Sequence, residues 1–88
     1  MRMAGKVPDS VLEALDRIIQ DDTVPRNVRR AASEIKENLL HGEDSLAMRA
    51  ATAISTLEEI ASDPNLPMHV RTLIWNVSSQ LERISVED

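Results

Sequence analysis

The sequence has no cysteine, no tyrosine and no phenylalanine, and Trp75 is its single aromatic residue. Without cysteine it has no disulfide framework, no thiolate metal site and no cysteine nucleophile. That composition fits a reducing cytosol. No apolar run approaches the roughly 20 residues of a membrane span. The opening stretch MRMAGKVPDS has no apolar h-region, so a secretory signal is not expected. The expectation is a cytoplasmic protein without membrane attachment. Glycine is reduced to two residues, and no β-branched run alternates as a half-buried strand would. Basic residues are outnumbered, ten against 15 acidic ones, for a net charge of −5. An acidic chain is repelled by nucleic acid unless its basic residues cluster.

What remains for a core is Leu, Ile, Val, Ala and Met, a set suited to helices packed on helices. Pro8 to Ser10 reads as a helix start, with Ser10 and Glu13 at capping-box spacing. Val11, Leu12, Leu15, Ile18 and Ile19 follow as one stripe. Pro25 then suits the first turn of a second helix, capped at Thr23 or Val24, with Val28, Ala31, Ala32, Ile35 and Leu39 as its stripe. Gly42 is expected to end it in a left-handed conformation. Asp44 or Ser45 caps a third helix whose apolar arc, from Leu46 to Ala61, is wide enough to touch more than one neighbour. Leu66-Pro67 opens a fourth, striped by Val70, Leu73, Ile74, Val77, Leu81 and Ile84. Four helices of roughly 13 to 19 residues with short links predict an antiparallel up-and-down bundle.

The chain also repeats itself. DDTVPRNVRR (Asp21 to Arg30) aligns with DPNLPMHVRT (Asp63 to Thr72) at an offset of 42 residues. At that offset Leu15/Leu57, Ile18/Ile60, Asp21/Asp63, Pro25/Pro67, Val28/Val70, Arg29/Arg71 and Leu39/Leu81 are identical, against roughly two expected by chance. The expected fold is one all-α domain over residues 1–88, a four-helix bundle built from two duplicated helical hairpins. The halves span about 10–42 and 44–84, with the first 7–9 residues and the last few flexible. The hairpins are related by a pseudo-twofold axis or by translation. A HEAT-like pair is the lesser alternative, because the period is right but two repeats are few for a solenoid.

The phrases VPRNVRRAA, RAATAISTLEEIASDPNLP and HVRTLIW, from near Val24 to Trp75, resemble the archaeal uncharacterised protein family 0147. The resemblance runs nearly end to end. It implies a small all-helical bundle and implies no activity.

The shared letters of the two phrases are those a helix corner needs. Asp21, Pro25 and Arg29, and again Asp63, Pro67 and Arg71, are expected to brace the two corners. Each arginine forks onto a carboxylate or onto the carbonyls that end the previous helix. The same arginines could instead grip an anionic ligand. Arg26, Arg29, Arg30 and Lys36 form a basic cluster, the best nucleic-acid candidate, yet no aromatic interleaves it to stack bases. A solvated face is the plainer reading. His41 and His69 have no metal-ligand spacing, and Glu58, Glu59 and Asp63 lack the Glu-x-x-His pair of bundle di-iron proteins. No metal and no cofactor is expected. Nor does any spacing suggest a nucleophile with a histidine base.

Met68, Thr72, Trp75 and Ser79 share an outward strip without charge on the fourth helix. The matching strip of the second helix is Arg26, Arg30, Ser33 and Glu37. Trp75 either folds down over its own chain or meets a partner or second copy. The favoured reading is therefore a non-catalytic protein–protein interaction module, with a protein partner or a homo-oligomer. The alternative is an accessory nucleic-acid or ribonucleoprotein binder.

Overall fold

The computed structural model describes residues 7–87. They form α1 (Asp9–Gln20), α2 (Arg26–His41), α3 (Leu46–Ala61) and α4 (Met68–Glu87), with no strand among the described residues. Each helix buries one stripe. The buried set of α2 is Val28, Ala32, Ile35 and Leu39. Forty-two residues on, α4 buries Val70, Ile74, Val77 and Leu81, and adds Ile84. In α1 the stripe is Val11, Ala14, Leu15 and Ile18. In α3 it is Leu46, Ala50, Ala53 and Leu57. All of these join one apolar cluster, and no charged or polar residue is buried among those described.

The packing decides how the hairpins are related. α1 packs on α2 and α4, and α3 packs on α4 and α2. No close backbone approach joins the diagonal pairs, α1 with α3 or α2 with α4, among the described residues. A translated, solenoid-like pair would instead stack first helix on first and second on second. The closed ring is that of a four-helix bundle. Exchanging the hairpins turns the α1–α4 contact into the α3–α2 contact, which is what a pseudo-twofold axis does. The two short dimensions of the molecule, 21 and 19 Å, are each about two helix diameters.

The two corners share their backbone bonds. In the first, the Asp21 carboxylate accepts the Thr23 N–H at 2.9 Å; in the second, Asp63 accepts the Asn65 N–H at 2.9 Å. Val24 N–H then bonds the Asp21 carbonyl, and Leu66 N–H the Asp63 carbonyl, both at 3.1 Å. Each proline carbonyl, Pro25 and Pro67, receives the third and fourth amides of the helix that follows (Val28 and Arg29; Val70 and Arg71). The aspartates therefore close Asx turns, because a short side chain reaches the N–H two residues on more readily than a distant guanidinium.

Arginine does its bracing through carbonyls. Arg71 donates from Nε to the Ala61 carbonyl at 3.2 Å, an acceptor that the end of α3 leaves without an amide, and from Nη2 at 2.8 Å to the Asp63 carbonyl, which also takes the Leu66 amide. Arg29 lies with Nη1 3.9 Å from the Asp22 carboxylate, so its ion pair is with Asp22 rather than Asp21, and its buried Nε has no acceptor. A third arginine belongs to the set. Arg49 donates from Nε to the Asp44 carbonyl at 2.8 Å and from Nη1 to the Leu39 carbonyl. Arg29, Arg49 and Arg71 all stand fourth in their helices.

Several details differ from the sequence reading. Ser10 and Glu13 form no capping box: α1 starts two residues earlier, with extended Pro8 at its cap and no side-chain cap bond. The Pro8 carbonyl takes the Val11 and Leu12 amides, and Asp9 places an acid in the first turn, where the helix dipole favours it. Pro25 itself, not Thr23 or Val24, caps α2. Gly42 is not left-handed; its φ of −66° is open to any residue. Glycine is needed there for room, since an added Cβ would stand 2.5 Å from the Asn38 carbonyl oxygen. Ser45 does cap α3, accepting the Met48 amide at 3.2 Å. The flexibility expected of the ends lies, for residues 1–6 and 88, outside the described residues. Val7, by contrast, is packed in the core, and Asp9 is already helical.

Candidate protein-interaction face

All four residues of the outward strip, Met68, Thr72, Trp75 and Ser79, are exposed on α4. Met68 is 63% and Trp75 53% accessible. The helical period dictates this: Ile74 and Val77 take the core side, which turns position 75 to the opposite side. Met48, at the start of α3, is also exposed, at 58%.

The basic cluster does not assemble into one surface. Lys36 reaches across to α1 and bonds the Asp16 carboxylate at 2.8 Å, with each side chain only about a third exposed (33% and 39%). Arg29 is half-buried at its corner, which leaves Arg26 and Arg30 exposed. Among the described residues no three acidic or histidine side chains converge as a metal site would require, Glu58, Glu59 and Asp63 included. His41 is exposed in the last turn of α2.

His69 is placed where sequence reasoning did not look. Its Nε2 lies 2.9 Å from the Thr23 hydroxyl, which is itself 2.6 Å from Asp21 Oδ1. This chain links the two corners at one end of the bundle. It is not a catalytic triad. An ionised carboxylate only accepts, so the Thr23 hydroxyl spends its proton on Asp21, and His69 must be the donor to Thr23. A base that donates to the hydroxyl cannot activate it. The Thr23 hydroxyl bond, then the Thr23 amide, hold the Asp21 carboxyl below its ordinary value of 3.8, with smaller help from His69 and Arg29. Because the folded value is depressed, this contribution is complete above the ordinary value and is lost as pH falls through the folded one. Thr23→Ala should raise the Asp21 titration midpoint toward its ordinary value, followed by carbon-13 NMR of the carboxyl carbon. An unchanged midpoint would mean that the hydroxyl bond does not form in solution.

Beside Trp75 runs a groove of about 340 Å³ between α3 and α4. Buried Leu57 and Ile74 form its floor, half-buried Ala61 brings apolar surface, Glu58 and Glu82 bring carboxylates, and Trp75 stands with Ser78 on the α4 side. The other hairpin shows how it arises. Forty-two residues earlier, the matching positions on α1 and α2 are Ile19, Gln20 and Lys36; on α3 and α4 they are Ala61, Ser62 and Ser78. Three long side chains have been cut short. The slot that Lys36 spans to reach Asp16 is left without a lysine opposite Glu58. The signal was in the sequence, in side-chain length at the repeat offset rather than in residue class.

Residues 4–84 match the uncharacterised protein family UPF0147. The chain is 68% identical over 85 residues to a UPF0147 protein of Archaeoglobus fulgidus, covering 97% of each chain. It is 54% identical over 85 residues to a UPF0147 protein of Methanosarcina acetivorans, covering 97% of this chain and 88% of that one. A crystal structure of a protein from this family from Thermoplasma acidophilum superposes with a TM-score of 0.83 at 44% identity, over 88% of this chain and 91% of that chain. The family carries no assigned function, so the likeness speaks to descent and architecture. Sharing sequence and fold with these archaeal proteins over nearly its whole length, the chain belongs to the uncharacterised protein family UPF0147.

Proposed function

We propose that the protein is a non-catalytic helical module that works in the cytoplasm by binding another protein through the outer face of α4. The observation that supports this most is Trp75, the chain's one aromatic residue, standing 53% accessible with Met68 at 63% on the same strip. Tryptophan is among the commonest anchors of protein interfaces, and methionine is enriched there. The matching positions of α2 carry Arg26, Arg30, Ser33 and Glu37, which a solvated face needs and a contact does not. The two hairpins share a fold and differ on their outsides, so the difference is the place to look for a task.

The nucleic-acid reading loses ground for a physical reason. Lys36 is held by Asp16 and Arg29 by its corner, so two cations remain to offset a net charge of −5. No described helix is long and apolar enough to cross a membrane.

Trp75→Glu tests the proposal. An exposed substitution should change stability by less than about 0.5 kcal/mol. If Trp75 anchors a contact, partner affinity should fall about 30-fold or more, the scale of an interface hot spot. Light scattering and recovery from native extract would report this. A protein that is monomeric, and whose recovered partners are the same with Trp75→Glu, would overturn the proposal.

A further inference from the structure

We infer that the groove between α3 and α4 receives a lysine or arginine side chain from a basic segment of another protein, with Glu58 as its counter-ion. This rests on the reading of α4 as an interaction face and adds what the partner must carry. The protein contains its own precedent. In the first hairpin, Lys36 on α2 crosses to Asp16 on α1 at 2.8 Å. In the second, position 58 also carries an acid, while position 78 carries serine. Ile19 and Gln20 are replaced by Ala61 and Ser62, so the slot is an open groove of about 340 Å³. The anion is retained, the cation is deleted and the space is enlarged.

The added residues fit the same ligand. Trp75 replaces Ser33 at the edge of the groove, and an indole face attracts a cation lying within about 6 Å of it. Glu82 replaces Leu40 and puts a second carboxylate on the lining. Half-buried Ala61 and the exposed Trp75 ring offer apolar contact to the methylene stem of a long basic side chain. The cation comes from a different protein, because a second copy would also bring a net charge of −5.

The test uses the whole protein with blocked hexa-arginine and hexa-lysine peptides as probes and hexa-glutamate as control. At about physiological ionic strength, the basic peptides should shift the Trp75 fluorescence and the amide resonances of residues 57–62 and 74–82. Glu58→Gln should weaken binding about tenfold, the loss of one charge-assisted contact. Ser78→Lys should weaken it at least as much, by giving the second hairpin the internal cation of the first. Glu58 is exposed, so its variant is informative even if Ser78→Lys folds poorly. Resonance shifts spread over the acidic surface, or peptide binding indifferent to both variants, would overturn the inference. If Trp75→Glu abolishes recovery of a partner and these two variants do not, the α4 face stands and the groove assignment falls. A dimer broken by Ser78→Lys would make the occupant a second copy and overturn the assignment to another protein.

Discussion

Leu81→Ala is expected to remove about 2–5 kcal/mol of stability. Leu81 is 0% exposed on α4, the helix that packs on both α1 and α3. The cost has two parts: the lost transfer of the three side-chain carbons beyond Cβ, and a cavity that the ring of helices closes only partly. A domain of this size commands about 5–15 kcal/mol in all, so one substitution takes a large share. At about 4–8 °C per kcal/mol, the melting temperature should fall by about 8–40 °C. Urea unfolding should show a lower midpoint at an unchanged slope. Leu39→Ala should behave alike, because Leu39 is 1% exposed at the matching point of α2. Leu40→Ala is the control: that side chain is 42% exposed, and its truncation should cost under about 1 kcal/mol. A loss at Leu81 no larger than at Leu40 would show that the core does not reach that turn.

The pair Leu39 and Leu81 also shows what could be read from the sequence. Val28, Ala32, Ile35 and Leu39 recur as Val70, Ile74, Val77 and Leu81, and all eight are buried. Helical period and the 42-residue offset point to the same residues, so two levels of pattern agree on one core. Helix ends were less legible. Whether Ser10 or Pro8 caps α1 depends on two residues of backbone, and both are plausible chemistry at a start. Arg49 escaped notice because it stands outside the repeated phrase. Its register, fourth in a helix like Arg29 and Arg71, becomes visible only once α3 has a defined beginning.

The candidate site was half legible. The outward strip followed from the angle of Trp75 to the stripe of α4, since exposure on a helix is set by period alone. The groove did not, because it is made between two helices by side chains that are too short. Ala61, Ser62 and Ser78 carry no chemistry of their own. Their meaning comes from Ile19, Gln20 and Lys36 at the same places in the other hairpin. In a duplicated fold each copy serves as a reference for the other, and the places where they differ are where function is to be sought. Asp16 with Lys36 is a contact within one hairpin; Glu58 facing Ser78 keeps one half of that contact.

Gly42→Ala should destabilise the protein by about 1–3 kcal/mol, although a common rule predicts the reverse. At φ −66° and ψ 158° the backbone suits alanine, and removing glycine's freedom from the unfolded chain would by itself add about 0.4–1 kcal/mol of stability. Space decides the sign. An added Cβ would lie 2.5 Å from the Asn38 carbonyl oxygen, 2.6 Å from Asn38 Oδ1 and 2.6 Å from Arg49 Cδ. The amide oxygen can swing away. The carbonyl cannot do so cheaply, because it belongs to the last turn of α2 and receives the Gly42 amide at 2.8 Å. Nor can the arginine stem, which is held at Asp44 and Leu39 by the bonds that brace the α2–α3 link. Arg49→Ala alone should cost about 1–3 kcal/mol for those charge-assisted bonds. Made together, the two changes should cost less than their sum by more than about 0.5 kcal/mol, since each removes what the other disturbs. Strict additivity in urea unfolding would separate the glycine from the arginine. A net gain on Gly42→Ala would mean that the link yields freely and that the bundle does not need this residue to be small.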